Sequence, residues 1–308
     1  MAEQIWDSFA RLNAGERFKK QSAEMGSAVT EAIVEEARVG EKPTSAGAGG
    51  YAATDTAPAA GAGGYAATDA APAAGAGLRV LDVACGAGEP SISIAALLKG
   101  TGQVVGVDMA AEPLKVARER AQKRGLENVE YMQADVHALP FADASFDRVT
   151  SRLGVMFFGD LPRALGEMRR VLKPGGRVAL LAWGAMEQPY FEMTVGTVRR
   201  MRPGLEVPAT ARQMFKFGVP GTLAGALREA GFAEAEDRVR SLRWDWHGSA
   251  EEMWDYFRGV TVPFRELLAQ VEGDAEVDAA VLAALRERFD GEYVRIEAQM
   301  VVATGWKR

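Results

Sequence analysis

From Leu78 onward the chain alternates short runs rich in β-branched residues with longer stretches of helical spacing, and this alternation narrows the fold more than any other feature. The runs are LRVLDVA (78–84), QVVGVD (103–108), VEYMQAD (129–135), FDRVTSR (146–152) and RVALLAW (177–183). Residues 91–98, 113–124 and 161–172 lie between them with apolar positions at helical intervals. Strands alternating with helices predict an α/β fold: a mainly parallel, doubly wound sheet with helices on both faces. In such a sheet ligands bind beyond the carboxyl ends of the strands, so the residues that follow each strand are the ones to inspect.

The first run leads directly into Asp82-Val83-Ala84-Cys85-Gly86-Ala87-Gly88. Glycines at 86 and 88 allow a tight turn and let a ligand lie against bare main chain. The next run ends at Asp108, twenty residues beyond Gly88, the distance at which a carboxylate commonly holds a ribose diol. Together these features predict an adenosine-containing cofactor. A dinucleotide loop would place a third glycine at 91, where this chain has Ser91, and Glu89 sets a negative charge where phosphates would sit. A cationic ligand suits the loop better, and S-adenosyl-L-methionine carries that charge.

The stretch VLDVACGAGEPSISIA (80–95) resembles motif I of the class I S-adenosylmethionine-dependent methyltransferases, and VVGVDMA (104–110), ADVHALPFADASFDRVTSR (134–152) and LKPGGRVALLAW (172–183) follow in that family's order. The resemblance is strongest to the subgroup holding the ubiquinone and menaquinone C-methyltransferases and related bacterial small-molecule methyltransferases. It implies a Rossmann-like, seven-stranded sheet. It further implies that Asp82 lies near the methionine amino group, that Ala84, Cys85, Gly86 and Gly88 line the cofactor, and that Asp108 takes the ribose hydroxyls. Met109 would cover one adenine face, Asp135 would accept from the adenine amine, and Val136 would offer its backbone N–H. Ser151 and Arg152 would lie near the methionine moiety and the acceptor, and LKPGG would be a turn that launches the fifth strand. The chain departs from the family at Ala84, where glycine is usual, and at Ala110, where a capping Ser or Thr is common; Pro113 still favours a helix start there.

Catalytic residues are less legible. His137, Arg152 and His247 are the candidates for proton transfer or substrate orientation. His137 also reads as a structural histidine, and Arg152 as an ion-paired strand end. Cys85 reads as a small buried filler, since no basic neighbour would lower its pKa. One cysteine excludes an internal disulfide, and two distant histidines give no metal-ligand spacing, so no metal is expected. A net charge of -6 argues against nucleic acid, including RNA, as partner. The first ten residues lack a secretory pattern and no apolar run reaches a membrane span, so a cytoplasmic enzyme is expected.

Three segments organise the chain. Residues 1–42 form an N-terminal helical segment, with 14–39 carrying an amphipathic stripe. Residues 43–77 are a Gly/Ala/Pro-rich linker built on a 14-residue tandem repeat whose copies differ only at Thr56 and Ala70. Residues 78–308 form the methyltransferase domain, with two edge strands expected over 233–246 and 292–306. Two segments rich in aromatic residues and methionine, 186–219 and 249–282, would cover the substrate. The expected reaction is methyl transfer to the carbon or oxygen of a small apolar or aromatic acceptor, with a homodimer left open. The alternatives are a non-catalytic S-adenosylmethionine binder and an NAD-dependent oxidoreductase.

Overall fold

The structure, a computed structural model, describes Arg17, residues 19–39 and residues 77–308. The tandem repeat and nearly all of the expected linker lie outside the described residues. The described residues begin with two short helices, α1 (Lys19–Met25) and α2 (Ser27–Glu36). The single helix expected over this region breaks at Gly26, where a Cβ would stand 2.6 Å from Nη2 of Arg152. Close approach of backbone to side chain explains the glycine.

The sheet begins with β1 (Leu78–Val83), followed by α3 (Ser91–Leu97), β2 (Gly102–Asp108), α4 (Ala111–Lys123), β3 (Val129–Gln133), β4 (Phe146–Arg152), α5 (Leu161–Val171) and β5 (Leu172–Trp183). The chain continues through α6 (Pro189–Phe191), a π-helical turn (Glu192–Gly196), α7 (Thr197–Met201), α8 (Ala209–Met214), α9 (Thr222–Glu229), β6 (Ala233–Arg243) and β7 (Trp246–His247). It ends with α10 (Ala250–Val260), α11 (Arg265–Ala269), α12 (Ala275–Arg286), β8 (Tyr293–Val294) and β9 (Glu297–Trp306).

Seven strands form one sheet in the order β3-β2-β1-β4-β5-β9-β6. The pairs from β3 to β5 are parallel, whereas β9 runs antiparallel to both β5 and β6. This is the expected mainly parallel sheet. The last two strands correct the expectation of a pair of edges: β9 is internal. Ala298, Met300, Val301, Val302 and Ala303 are all buried, so β9 requires neighbours on both sides. β6 alternates instead, and carries Glu234, Glu236, Asp237, Arg238 and Arg240, charges that suit an exposed edge. In the LKPGG segment, Phe146 pairs with Leu172 and Arg148 with Arg177, so the intervening residues bulge out of the ladder and Gly175 takes φ +75°.

The chain leaves β1 toward β2 on one side and β4 toward β5 on the other, so a crevice opens between their carboxyl ends. At the same end, Trp183 closes β5 and Trp244 follows β6, with ring centroids 5.3 Å apart. Trp183 also stacks on Tyr190 at 5.7 Å and meets Phe191 edge-on at 5.0 Å. Phe191 reaches Phe257 and Phe264, so residues of 186–219 and of 249–282 pack into one helical layer. Within that layer α10 starts with a capping box between Ser249 and Glu252, and Asp274 caps α12.

Candidate cofactor site

The loop after β1 is held from three directions. Asp82, at the penultimate position of β1, is fully buried. Its Oδ2 accepts from the backbone N–H of Ser91 at 3.1 Å and from the Ser91 hydroxyl, and its Oδ1 accepts from Thr150 Oγ1 at 3.0 Å. These bonds tie β1 to the start of α3 and to β4. Burial pushes the Asp82 carboxyl up to about 7, against the opposing pull of the Ser91 and Thr150 bonds. From the other side, Arg120 of α4 donates to the Ala87 carbonyl at 2.6 Å and lies 3.3 Å from Glu89, which also accepts from Ser93. Glu89 is therefore a paired charge, and its repulsion of a phosphate is weaker than the bare sequence implies.

The two loop glycines differ. At Gly88, φ is +102° and a Cβ would meet Ile92 Cδ1 at 2.8 Å, the Tyr131 hydroxyl at 3.0 Å and Ala117 Cβ at 3.2 Å, so this glycine serves helix–strand packing. At Gly86, φ is +52° and nothing stands within 4 Å of the Cβ position. Gly86 thus bares its backbone to open space. Ala84 adopts φ +58° despite its methyl group, a left-handed conformation that costs alanine about 1 kcal/mol. Cys85 is buried in a small cluster with Ile92, Leu114, Ala117, Ala121 and Tyr131. Burial, with Asp82 and Asp108 close by, pushes its thiol up, which fits a packing role rather than a nucleophile.

Asp108, the last residue of β2, spans the loop. Its Oδ2 accepts from the Gly86 N–H at 2.8 Å and its Oδ1 from the Ala110 N–H at 2.9 Å. The second bond helps to satisfy the start of α4, where Ala110 supplies no side-chain cap. Each carboxylate oxygen accepts two bonds or more, so both retain capacity for a ligand. Beside it Met109 is 45% exposed, an unusual position for a large apolar side chain in a structured loop.

Asp135 caps a 3₁₀ turn (Val136–Ala138), accepting from the His137 N–H at 2.9 Å and facing His137 Nδ1 at 2.6 Å; these partners lower its pKa. The His137 Nε2 lies 3.2 Å from the Asp160 N–H, so both ring nitrogens are engaged. Val136 is buried beneath this turn.

At the end of β4 the pattern changes. The Ser151 hydroxyl is buried without a hydrogen-bond partner among the described residues, and its oxygen would stand 2.8 Å from a Cβ at Gly154. Arg152 points the other way, with Nη2 donating to the Gly26 carbonyl at 3.3 Å and Nε buried without a partner. Burial lowers its pKa, opposed by the field of Glu89, Asp82 and Tyr256. His247 is elsewhere: its ring nitrogens lie 2.9 Å from Glu24 and 3.7 Å from Glu292, and it stacks on Tyr293. The fold thus gathers Asp82, Ala84, Cys85, Gly86, Gly88, Asp108 and Ser151 around one loop, while His247 belongs to the contact between α1 and the β7–β8 pair. Sequence reasoning missed Ser91, Thr150 and Arg120. An acid three residues inside a motif and a basic residue one helix away gave no local signal of their pairing.

Among the described residues no cluster of His, Cys, Asp and Glu could hold a metal ion, and no helix is long and apolar enough to cross a membrane. A cavity of about 510 Å³ lined by Pro189, Met193, Arg243, Asp245, Arg288 and Arg295, among others, contains none of the expected site residues.

Known proteins resemble this chain over much of its length. A family model described as a methyltransferase domain matches residues 74–200. An uncharacterized protein of Mycobacterium tuberculosis is 34% identical over 224 residues, covering 72% of this chain and 75% of that protein. The demethylmenaquinone methyltransferase of Thermus thermophilus is 42% identical over 122 residues, covering 37% of this chain and 54% of its own length. The crystal structure of the YcgJ protein from Bacillus subtilis aligns with a TM-score of 0.48 at 23% identity, over 76% of this chain and 93% of that one. The NAD-dependent alternative falls away, because the Ser91 hydroxyl is spent on Asp82 where a dinucleotide loop has a glycine. A glycine loop tied to a strand-end acid, on a sheet ordered 3-2-1-4-5-9-6 and matched by a methyltransferase family model, identifies the chain as an enzyme of the class I S-adenosyl-L-methionine-dependent methyltransferases.

Proposed function

We propose that Asp108 holds the ribose hydroxyls of S-adenosyl-L-methionine and that the enzyme methylates carbon or oxygen of a small apolar or aromatic acceptor in the cytoplasm. The observation that carries the cofactor half is the Asp108 carboxylate, braced by two backbone N–H groups with acceptor capacity left over. Open space at Gly86 and the bare Met109 side chain support a ligand lying across the loop, with Met109 against the adenine and Asp135 and Val136 at its far rim. Asp82 acts one layer below, keeping Ser91 and Thr150 in register and the loop in its bound shape. When bound, the cofactor supplies an electrophilic methyl group on a sulfonium sulfur.

The chain's own residues then exclude water and orient the acceptor. The aromatic layer over the carboxyl ends of β5 and β6 supports an apolar acceptor, and the segments 186–219 and 249–282 serve as its cover. Because both nitrogens of His137 are engaged, its role is to shape the adenine rim rather than to move a proton. Calorimetry with S-adenosylhomocysteine tests the cofactor assignment. Asp108→Ala should weaken binding about 100-fold, the loss expected for two hydrogen bonds to a charged group. Affinity within threefold of wild type would overturn it. Incubation with methyl-labelled cofactor and cell extract should place label in an aromatic or apolar small molecule; label confined to nucleic acid or protein would overturn the acceptor class.

A further inference from the structure

Arg152 has no carboxylate within ion-pairing distance among the described residues, unlike six other arginines. Arg120, Arg170, Arg177, Arg202, Arg243 and Arg295 all have carboxylate partners. Arg152 sits at the carboxyl end of β4, at the sheet's switch point, with one hydrogen bond to a carbonyl and a buried Nε that has no partner. A guanidinium carries five N–H donors, and leaving a charge desolvated without a counter-charge is costly. The acids in its field are engaged elsewhere: Glu89 with Arg120 and Ser93, Asp82 with Ser91 and Thr150.

Two molecules could supply an anion. Side chains alternate along a strand, so Arg152 takes the face of β4 opposite Ser151. Its guanidinium reaches the Gly26 carbonyl between α1 and α2 and feels Glu89 and Asp82 of the loop as well as Tyr256 on α10. The N-terminal helices and α10 thus flank it on the side away from Ser151. We propose that Arg152 receives an anionic oxygen group of the methyl acceptor, so that the acceptor is an aromatic or apolar molecule bearing a carboxylate or ionised hydroxyl. The inference rests on the acceptor reading above and narrows it. The positive guanidinium holds the acceptor in its ionised form and fixes its orientation under the N-terminal helices, making Arg152 a specificity residue.

The cofactor's own carboxylate offers the same chemistry, and the test separates the two sources. The full chain is titrated calorimetrically with S-adenosylhomocysteine and with methylthioadenosine, which lacks the carboxylate; the homocysteine-saturated protein is then titrated with 1-naphthoate and with neutral 1-naphthalenemethanol. Wild type should prefer the naphthoate at least about tenfold, as for a charge-assisted bidentate pair. Arg152→Gln should reduce that preference to within about twofold, Arg152→Lys should keep part of it, and both should bind S-adenosylhomocysteine as wild type does. Three results overturn the proposal: equal or absent binding of the two naphthalenes to wild type, a preference that survives Arg152→Gln, or an Arg152→Gln loss for S-adenosylhomocysteine that methylthioadenosine does not share. The first arm needs no variant, so it decides even if Arg152→Gln fails to fold. Retained homocysteine binding with indifferent naphthalenes would remove this inference and leave the methyltransferase reading standing.

Discussion

The ends of β1 and β4 are neighbours in the sheet, yet they treat their polar groups in opposite ways. At β1 every acid is bound: Asp82 to Ser91 and Thr150, Asp108 to Gly86 and Ala110, Glu89 to Arg120 and Ser93. At β4 the Ser151 hydroxyl and the Arg152 Nε are buried with no hydrogen-bond partner among the described residues. The first region is braced before any ligand arrives, with the Tyr131 hydroxyl beside Gly88 buried without a partner among the described residues and Asp108 keeping acceptor capacity. Such bracing suits preorganised recognition of a cofactor. Under the proposed assignment, the second would be completed by the acceptor it binds, and a shared cofactor with a distinctive acceptor would call for these two designs.

If the β1 side is rigid by packing, Gly88→Ala should have the largest effect. The added methyl meets Ile92, Tyr131 and Ala117 at φ +102°, so urea denaturation should show a loss of about 3 kcal/mol, combining overpacking with backbone strain. Gly86→Ala faces open space and should cost about 1 kcal/mol or less in the same assay, yet weaken S-adenosylhomocysteine severalfold. Equal destabilisation by the two would erase the distinction between packing and cradle.

The buried acid gives a pH signature of intermediate size. With its folded value raised from 3.8 to about 7, Asp82 binds a proton in the folded state that the unfolded chain has lost. Stability therefore falls as pH rises from about 4 to 7, by about 2–4 kcal/mol from this group alone, and is flat above. Urea midpoints at pH 5 and pH 8 should show wild type losing that much more than Asp82→Asn. Parallel pH profiles would mean that the carboxylate is solvated.

The smallest effect belongs to the N-terminal helices. Glu24 and His247 are partly exposed, so Glu24→Gln should cost under about 1 kcal/mol by urea denaturation. A loss above about 2 kcal/mol would make α1 an integral layer rather than a lightly held lid.

Much of the cofactor side was readable because its determinants are local. The glycine loop, the strand-end Asp108 and the apolar runs of β1 to β5 each announce themselves within a few residues. What escaped depends on distant partners. Gly26 and Arg152 meet across 126 positions, and nothing near either one signals the contact. Arg120 reads as an ordinary exposed helix residue until α4 is laid against the loop. The interior place of β9 was available in principle, since its continuous apolar run demands two neighbours, whereas an edge strand alternates.

That interior place has a consequence for how the enzyme is made. During synthesis β6 emerges well before β9, the strand to which it pairs. Until β9 threads between β5 and β6, β5 has a bare, apolar flank and β6 has no partner at all. Seating β9 is therefore a long-range contact, a slow kind to form. The charges along β6 would also keep nascent chains from pairing with one another while they wait for it.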